Sequence, residues 1–294
     1  MELFTQIIIN SLISGTQVLL LATGLFLVYS VTRIMHVGLG AVAMILAYIV
    51  YSLLQTDLNI FMLFILFLTA ALILTILTYL LLRGFINREQ NLLGLLMSLT
   101  IGVFFESILS IIFGPEGRFI NLFETKSYNF SEITVTNVGI LTLALGICLF
   151  ATGLFILRST PEGRKLRATS SNKNLAIVLG IKTQKVIFIT FFLATAIAGL
   201  VGVLKGMYTA VTPLAGLNLI IMSFIALIVG GPNDYRGTIV ASYILVLIPE
   251  LLISLSIDSF SLSASWKMVF VFVIATILLT LKPQGLFYSV TRNT

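Results

Sequence analysis

Nine apolar runs separated by short polar breaks fill the chain, near residues 6–30, 34–55, 60–82, 92–114, 136–157, 184–207, 214–231, 237–257 and 266–282. Each has the roughly 17–25 residues that a helix needs to cross a bilayer. Inside hydrocarbon a backbone N–H or C=O has no partner except another backbone group, so each run predicts a helix. Two runs predict broken or re-entrant segments. Residues 34–55 begin Ile-Met-His-Val-Gly-Leu-Gly, and residues 214–231 lead into Gly230-Gly231-Pro232. Glycine and proline there interrupt regular hydrogen bonding, which is tolerated only beside protein or a watery cavity. The pattern therefore predicts an all-α, polytopic membrane bundle of about eight or nine transmembrane segments. It forms one domain over residues 1–294, with a polar loop at 158–185.

Composition agrees with the pattern and removes other classes. Of the 294 residues, 59% are hydrophobic and only 10% charged, whereas soluble domains carry about 25% charged residues. The single histidine excludes a His-pair metal motif, and Cys148 lies in an apolar run without metal-ligand company, as a small buried apolar residue. No metal site is expected. The Met-Glu start lacks a basic region, so the first run reads as a span rather than a cleaved signal. No Gly-x-x-x-x-Gly-Lys-[Ser/Thr] loop is present, so the chain has no nucleotide site of its own. No basic patch is interleaved with aromatics on a soluble domain, and nucleic acid is not an expected partner. An intramembrane enzyme is disfavoured: there is no His-Glu-x-x-His, and no serine has a histidine partner.

Charge gives the chain a direction. Residues 158–185 hold Arg158, Arg164, Lys165, Arg167, Lys173, Lys182 and Lys185 against Glu162 alone, an excess equal to the whole chain's net charge of +6. By the positive-inside rule this loop is cytoplasmic. The loop at 83–91, with Arg83 and Arg88, falls on the same side. The loop at 115–135, with Glu116, Glu124 and Glu132, falls outside. The N-terminus is then outside, and nine crossings put the C-terminus inside, in agreement with Lys282 and Arg292; if 214–231 is only re-entrant, the C-terminal side reverses.

Within the basic loop, Thr160 is a helix N-cap, Pro161 stands at the first helical position and Glu162 in the first turn. The helix is predicted to run to Leu179 and stop at Gly180. Arg164, Ala168, Asn172 and Ala176 then lie four apart on one face, with Arg167 beside them. That face is too polar for lipid and is suited to approach by another protein. A passive basic loop that only sets topology would not need such a helix.

The pattern Gly163-Arg164-x-x-Arg167-Ala168, then Asn172, Ala176 and Gly180-Ile181, resembles the cytoplasmic loop of LivH/LivM-type permeases, the membrane subunits of branched-chain amino-acid ABC importers. Further likenesses are Leu21–Tyr48, including Tyr29 and Gly40; Thr100-Ile101-Gly102; Phe224–Gly231; and Pro283-x-Gly285-Leu286-Phe287. The resemblance implies that Gly163, Arg164, Arg167, Ala168, Asn172, Ala176 and Gly180 form a coupling helix for cytoplasmic ATPase subunits, which hydrolyse the ATP. It implies a second homologous permease subunit, an extracytoplasmic solute-binding protein, a small polar solute and the inner membrane. Two segments depart from the family: His36-Val37-Gly38-Leu39-Gly40-Ala41, and Gly230-Gly231-Pro232-Asn233-Asp234-Tyr235-Arg236-Gly237. Urea, amides or sugars are therefore alternative solutes. A stand-alone secondary transporter is the alternative from another class.

Ionisable and small residues inside the runs complete the reading. Glu106 lies deep in the fourth run, where a charge must face the bundle interior. It either lines the path or bonds a neighbouring helix. His36, Gly40, Glu106, Gly230 and Gly231 are candidates for the translocation path, although Arg33 and His36 also read as interfacial anchors. Glu250, after Pro249, suggests a kink with a polar lining or a packing contact. Ala194, Ala198, Gly202 and Gly206 recur every four residues and predict close helix packing.

Overall fold

The computed structural model describes residues 2–56, 58–130, 133–232, 234–254, 263 and 265–287. Its elements, in order, are α1 Glu2–Thr32, α2 Leu39–Leu54, α3 Ile60–Asn87, α4 Asn91–Phe113, β1 Ser127–Phe130, β2 Ile133–Thr136, α5 Asn137–Ser159, α6 Pro161–Ser171, α7 Lys173–Val178, α8 Thr183–Tyr208, α9 Ala215–Gly230, α10 Tyr235–Ser254 and α11 Trp266–Leu281. Every apolar run contains a helix over its described residues, the run at 34–55 from Leu39 onward. Among the described residues α1, α3, α4, α8 and α10 are long and apolar enough to cross a membrane. The shorter apolar helices are α2, α9, α11 and the Asn137–Gly153 part of α5. The all-α expectation needs one correction. The loop after α4 contains an antiparallel pair, β1 on β2, because Tyr128, Phe130, Ile133 and Val135 supply a β-type alternation outside the apolar runs. Glu132, Asn233, Arg292 and residues 255–257 of the expected eighth span lie outside the described residues.

Helix α1 is the hub and packs on α5, α8, α9 and α10. Threonine and tyrosine hydroxyls fix its register on α10: Thr16 Oγ1 lies 3.1 Å from Tyr243 Oη, and Thr23 Oγ1 lies 2.7 Å from Tyr235 Oη. Since lipid is as apolar as leucine, closeness of approach rather than apolar burial holds such helices together. The ladder on α8 supplies that closeness. Ala194 and Ala198 are fully buried. A Cβ on Gly202 would press on the Ala43 carbonyl of α2, and one on Gly206 would sit 2.5 Å from Ile120 Cδ1. By contrast α3 and α4 turn large apolar side chains outward, among them Phe61, Phe64, Phe104 and Ile111, which suits surfaces that face lipid.

Polar ties mark the two ends of the bundle. At one end Gln6 of α1 bonds to Thr134 of β2 in both directions, and Arg118 pairs with Val211. At the other, Lys173 donates to the Ile86 carbonyl and Gln184 to Asn87, so the α3–α4 turn and the basic element α6–α7 share one side. Cys148 is exposed. The expectation of burial is corrected, because among the described residues no helix covers its face of α5.

Candidate functional site

The basic element is built as capped helices hanging from the end of the bundle. Thr160 Oγ1 accepts from Gly163 N–H at 3.1 Å, with Pro161 at the first position. The expectation of one helix to Leu179 is corrected. Asn172 leaves the helical region (φ −151°, ψ 104°), ends α6, and its side chain accepts from Leu175 N–H at 3.0 Å to cap α7. An asparagine that can cap competes with the helix it interrupts. At the far end Gly180 adopts φ +79°, Gly180 N–H reaches the Ile177 carbonyl and Ile181 N–H the Ala176 carbonyl. That double bond is a Schellman close, and its left-handed residue favours glycine.

The break redistributes the expected stripe. Arg164 and Arg167 are exposed, Ala168 is half-buried, and Gly163 and Ala176 are buried against the bundle side. What α7 exposes is apolar: Leu175 at 55%, Ile177 at 52%, Val178 at 82% and Leu179 at 69%. These four stand in the most basic stretch of the chain, where Lys and Arg preclude immersion in hydrocarbon. An apolar patch rimmed by cations outside the lipid is the surface of an interaction site. The predicted single helix directed attention to the Arg164–Ala176 face, and the exposure of these four follows only from the break at Asn172.

Inside the bundle the two interrupted crossings meet. Between α1 and α2 the chain is non-helical from Arg33 to Gly38. His36 is completely buried, which corrects the interfacial reading: its Nδ1 lies 2.7 Å from Ser98 Oγ, and its ring stacks on Phe191. Gly38 N–H donates to the same Ser98 oxygen at 2.9 Å, and a Cβ on Gly38 would lie 2.6 Å from the Ser98 carbonyl. Helix α2 therefore starts inside the bundle, and so does α9. Gly40 and Gly216, near the two N-termini, are in backbone contact: a Cβ on Gly40 would lie 2.5 Å from the Gly216 oxygen. Glu106, only 6% exposed, faces the backbone N–H of Leu217 in the first turn of α9. A carboxylate at a helix N-terminus is favourable because free N–H groups and the helix dipole point at it. Val37, Gly38, Ala41, Gly102, Glu106 and Ile220 line a small cavity there, with Leu99, Val103 and Leu217 at its exposed rim.

Gly230 and Gly231 lie at the opposite end of α9, about 20 Å from Leu217 at 1.5 Å per residue, so they do not join Glu106. Instead α9, α10 and the segment after α11 touch there, backbone to backbone. Gly230 abuts Gly237, Gly231 (φ +103°) abuts Gly285 (φ +94°), and Leu286 N–H donates to the Val229 carbonyl at 2.9 Å. Glu250 is tied to Lys267 of α11 as an ion pair. Ser98 had no sequence signal, since its partners are some sixty residues away in the chain.

Apolar helices, two of them starting within the bundle, together with a folded basic element at one end, define a multi-pass membrane protein of the transporter class. Comparison with known families and proteins narrows the class. The chain belongs to the family described as branched-chain amino acid transport system / permease component, which matches residues 7–279. It is 25% identical over 299 residues to the high-affinity branched-chain amino acid transport system permease protein LivH of Escherichia coli, covering 96% of this chain and 95% of that one. It is 26% identical to the probable LivH of Methanocaldococcus jannaschii, covering 82% and 78%. Among solved structures it resembles PsaBC from Streptococcus pneumoniae, in complex with a Fab, at a TM-score of 0.52 and 15% identity over 94% of this chain and 91% of that one. That likeness bears on the fold alone.

Proposed function

We propose that this permease component carries branched-chain amino acids, or a solute of similar size, across the inner membrane, driven by separate cytoplasmic ATPase subunits that dock on α6–α7. The observation that carries the reading is the exposed apolar face of α7 beside exposed Arg164 and Arg167. A cytosolic protein with an apolar cleft and an acidic rim would match it. The basic element sits on the cytoplasmic side by the positive-inside rule. Alternation from there gives nine crossings, an outer N-terminus and an inner C-terminus. The interrupted segments through α2 and α9 each count as one crossing.

The path passes beside Glu106, where two helix N-termini open into the bundle, as at the discontinuous helices of other transporters. The cavity's exposed rim at Leu99, Val103 and Leu217 is the side on which a second, homologous permease subunit completes it. A solute-binding protein delivers cargo at the outer face. The test is uptake and co-purification with the native chain and with Arg164→Glu combined with Arg167→Glu. Reversal is expected to abolish both ATPase retention and ATP-driven uptake while the chain still accumulates in the membrane. Unchanged retention and uptake would refute docking, and uptake that collapses with the ion gradient instead of with ATP would indicate a secondary transporter.

A further inference from the structure

Arg33 joins the docking element to the interrupted segment that opens on Glu106, and we propose that it is the positioning residue through which movement of α6 reaches the transport path. This rests on the docking role given to α6–α7 above. Arg33 N–H makes the final helical bond of α1, to the Tyr29 carbonyl at 2.8 Å. The residue itself then takes φ +58°. A left-handed residue after a helix is ordinarily glycine, because a Cβ is strained there. This chain places its longest cation at that point, and the side chain has work elsewhere. The guanidinium lies 5.7 Å above the Tyr29 ring, and one terminal nitrogen donates to the Ser170 carbonyl at 3.1 Å. Ser170 is in the last turn of α6, where carbonyls lack helical partners and cations are favoured.

Three and five residues further on the chain is clamped again. His36 and Gly38 N–H both hold Ser98 Oγ. Ser98, Gly102 and Glu106 are four apart and share one face of α4, so the second clamp stands two turns from the carboxylate. Between the clamps the backbone makes short-range bonds, among them Ile34 N–H to Thr32 Oγ1, Val37 N–H to the Met35 carbonyl and Leu39 N–H to the His36 carbonyl. A displacement of α6 therefore pulls on a short tether whose other end sets the start of α2. The start of α2 is in backbone contact with the start of α9 through Gly40 and Gly216. Arg33 is the side chain by which α6 holds this tether.

The test uses the assembled transporter in proteoliposomes, and reads solute taken up per ATP hydrolysed for the native chain, Arg33→Gly and Arg33→Lys. Glycine adopts φ +58° freely, so Arg33→Gly is expected to assemble at the native level or above and to keep hydrolysing ATP. Its uptake per ATP should fall about fivefold or more, the scale of a lost coupling between two sites. Arg33→Lys, which keeps a donor for Ser170, should recover at least part of the ratio. A native ratio in Arg33→Gly, or a loss of assembled complex that accounts for all the lost uptake, overturns the proposal. Failure of the native chain to retain any ATPase would instead overturn the docking reading beneath it.

Discussion

Truncating the tip of α7, as Val178→Ala with Leu179→Ala, gives the most direct measure of the docking surface. Full burial of a valine or leucine side chain contributes about 1.5–3 kcal/mol. Val178 and Leu179 are 82% and 69% exposed in the lone chain. Covering that exposed part by a partner is therefore worth about 2–4 kcal/mol for the pair. Ordering the two side chains offsets about 1 kcal/mol, which leaves a net loss of about 1–3 kcal/mol on truncation. At about 1.4 kcal/mol per decade, affinity for the ATPase should drop about fivefold to a hundredfold. The fold should barely notice, because substitutions at exposed sites generally stay within about 0.5 kcal/mol. The assay is a titration of purified ATPase onto the solubilised chain, paired with thermal unfolding of the chain alone. A dissociation constant within about twofold of native, or an unfolding midpoint that falls in step with affinity, would refute the reasoning.

Three further outcomes follow from named contacts. Glu106→Gln keeps a side-chain oxygen for Leu217 N–H but removes the charge, so uptake should fall by about tenfold or more, with a loss of folded protein under about 1 kcal/mol; equal losses in the uptake and unfolding assays would make the residue a packing element only. Gly202→Ala drives a methyl into the Ala43 backbone, and overpacking of this kind should lower stability by about 1–3 kcal/mol in detergent unfolding. Thr160→Ala removes the oxygen that receives Gly163 N–H and should loosen α6 by about 1 kcal/mol, visible as faster amide exchange in residues 162–166 and not in α8.

Much of this architecture can be read from the sequence because lipid leaves the backbone so little choice. Every apolar run contains a helix, and the Thr160 cap and the Gly180 stop are where local chemistry puts them. The failures have two causes. Asn172 suits either a helix face or a cap, and a polar stretch has no apolar periodicity to arbitrate. His36 near the end of a run resembles an anchor until Ser98, distant in sequence, arrives beside it. The pair Gly230-Gly231 signals a close approach, but its partners Gly237 and Gly285 belong to other segments. At His36 and at Gly230-Gly231 tertiary neighbours decided the outcome, and they carry no local mark; at Asn172 a local cap three residues away did. The exposed side chains of α7 are a subtler case: their apolar character is plain, but only the break at Asn172 and the turn at Gly180 show that they face away from the bundle.

The two helices that begin within the bundle give α4 its importance. An uninterrupted helix offers a polar solute nothing, since its backbone donors and acceptors are already paired. Starting α2 and α9 inside the bundle frees N–H groups at both starts, and each free group must then be answered. Ser98 answers for α2 through Gly38 N–H; at the α9 start Leu217 N–H turns back to the Leu214 carbonyl at 3.2 Å, and Glu106 lies beside that turn. Ser98 and Glu106 stand on one face of α4 with Gly102 between them, where the lack of a side chain lets the Gly38 backbone come close. On the transport path proposed above, a solute bound beside Glu106 would bear on the α9 start and, through the Gly40–Gly216 contact, on the start of α2. Occupation of the path and the position of the α2 start are then one event. That is the condition under which a pull from α6 through Arg33 can move a solute rather than merely deform the protein.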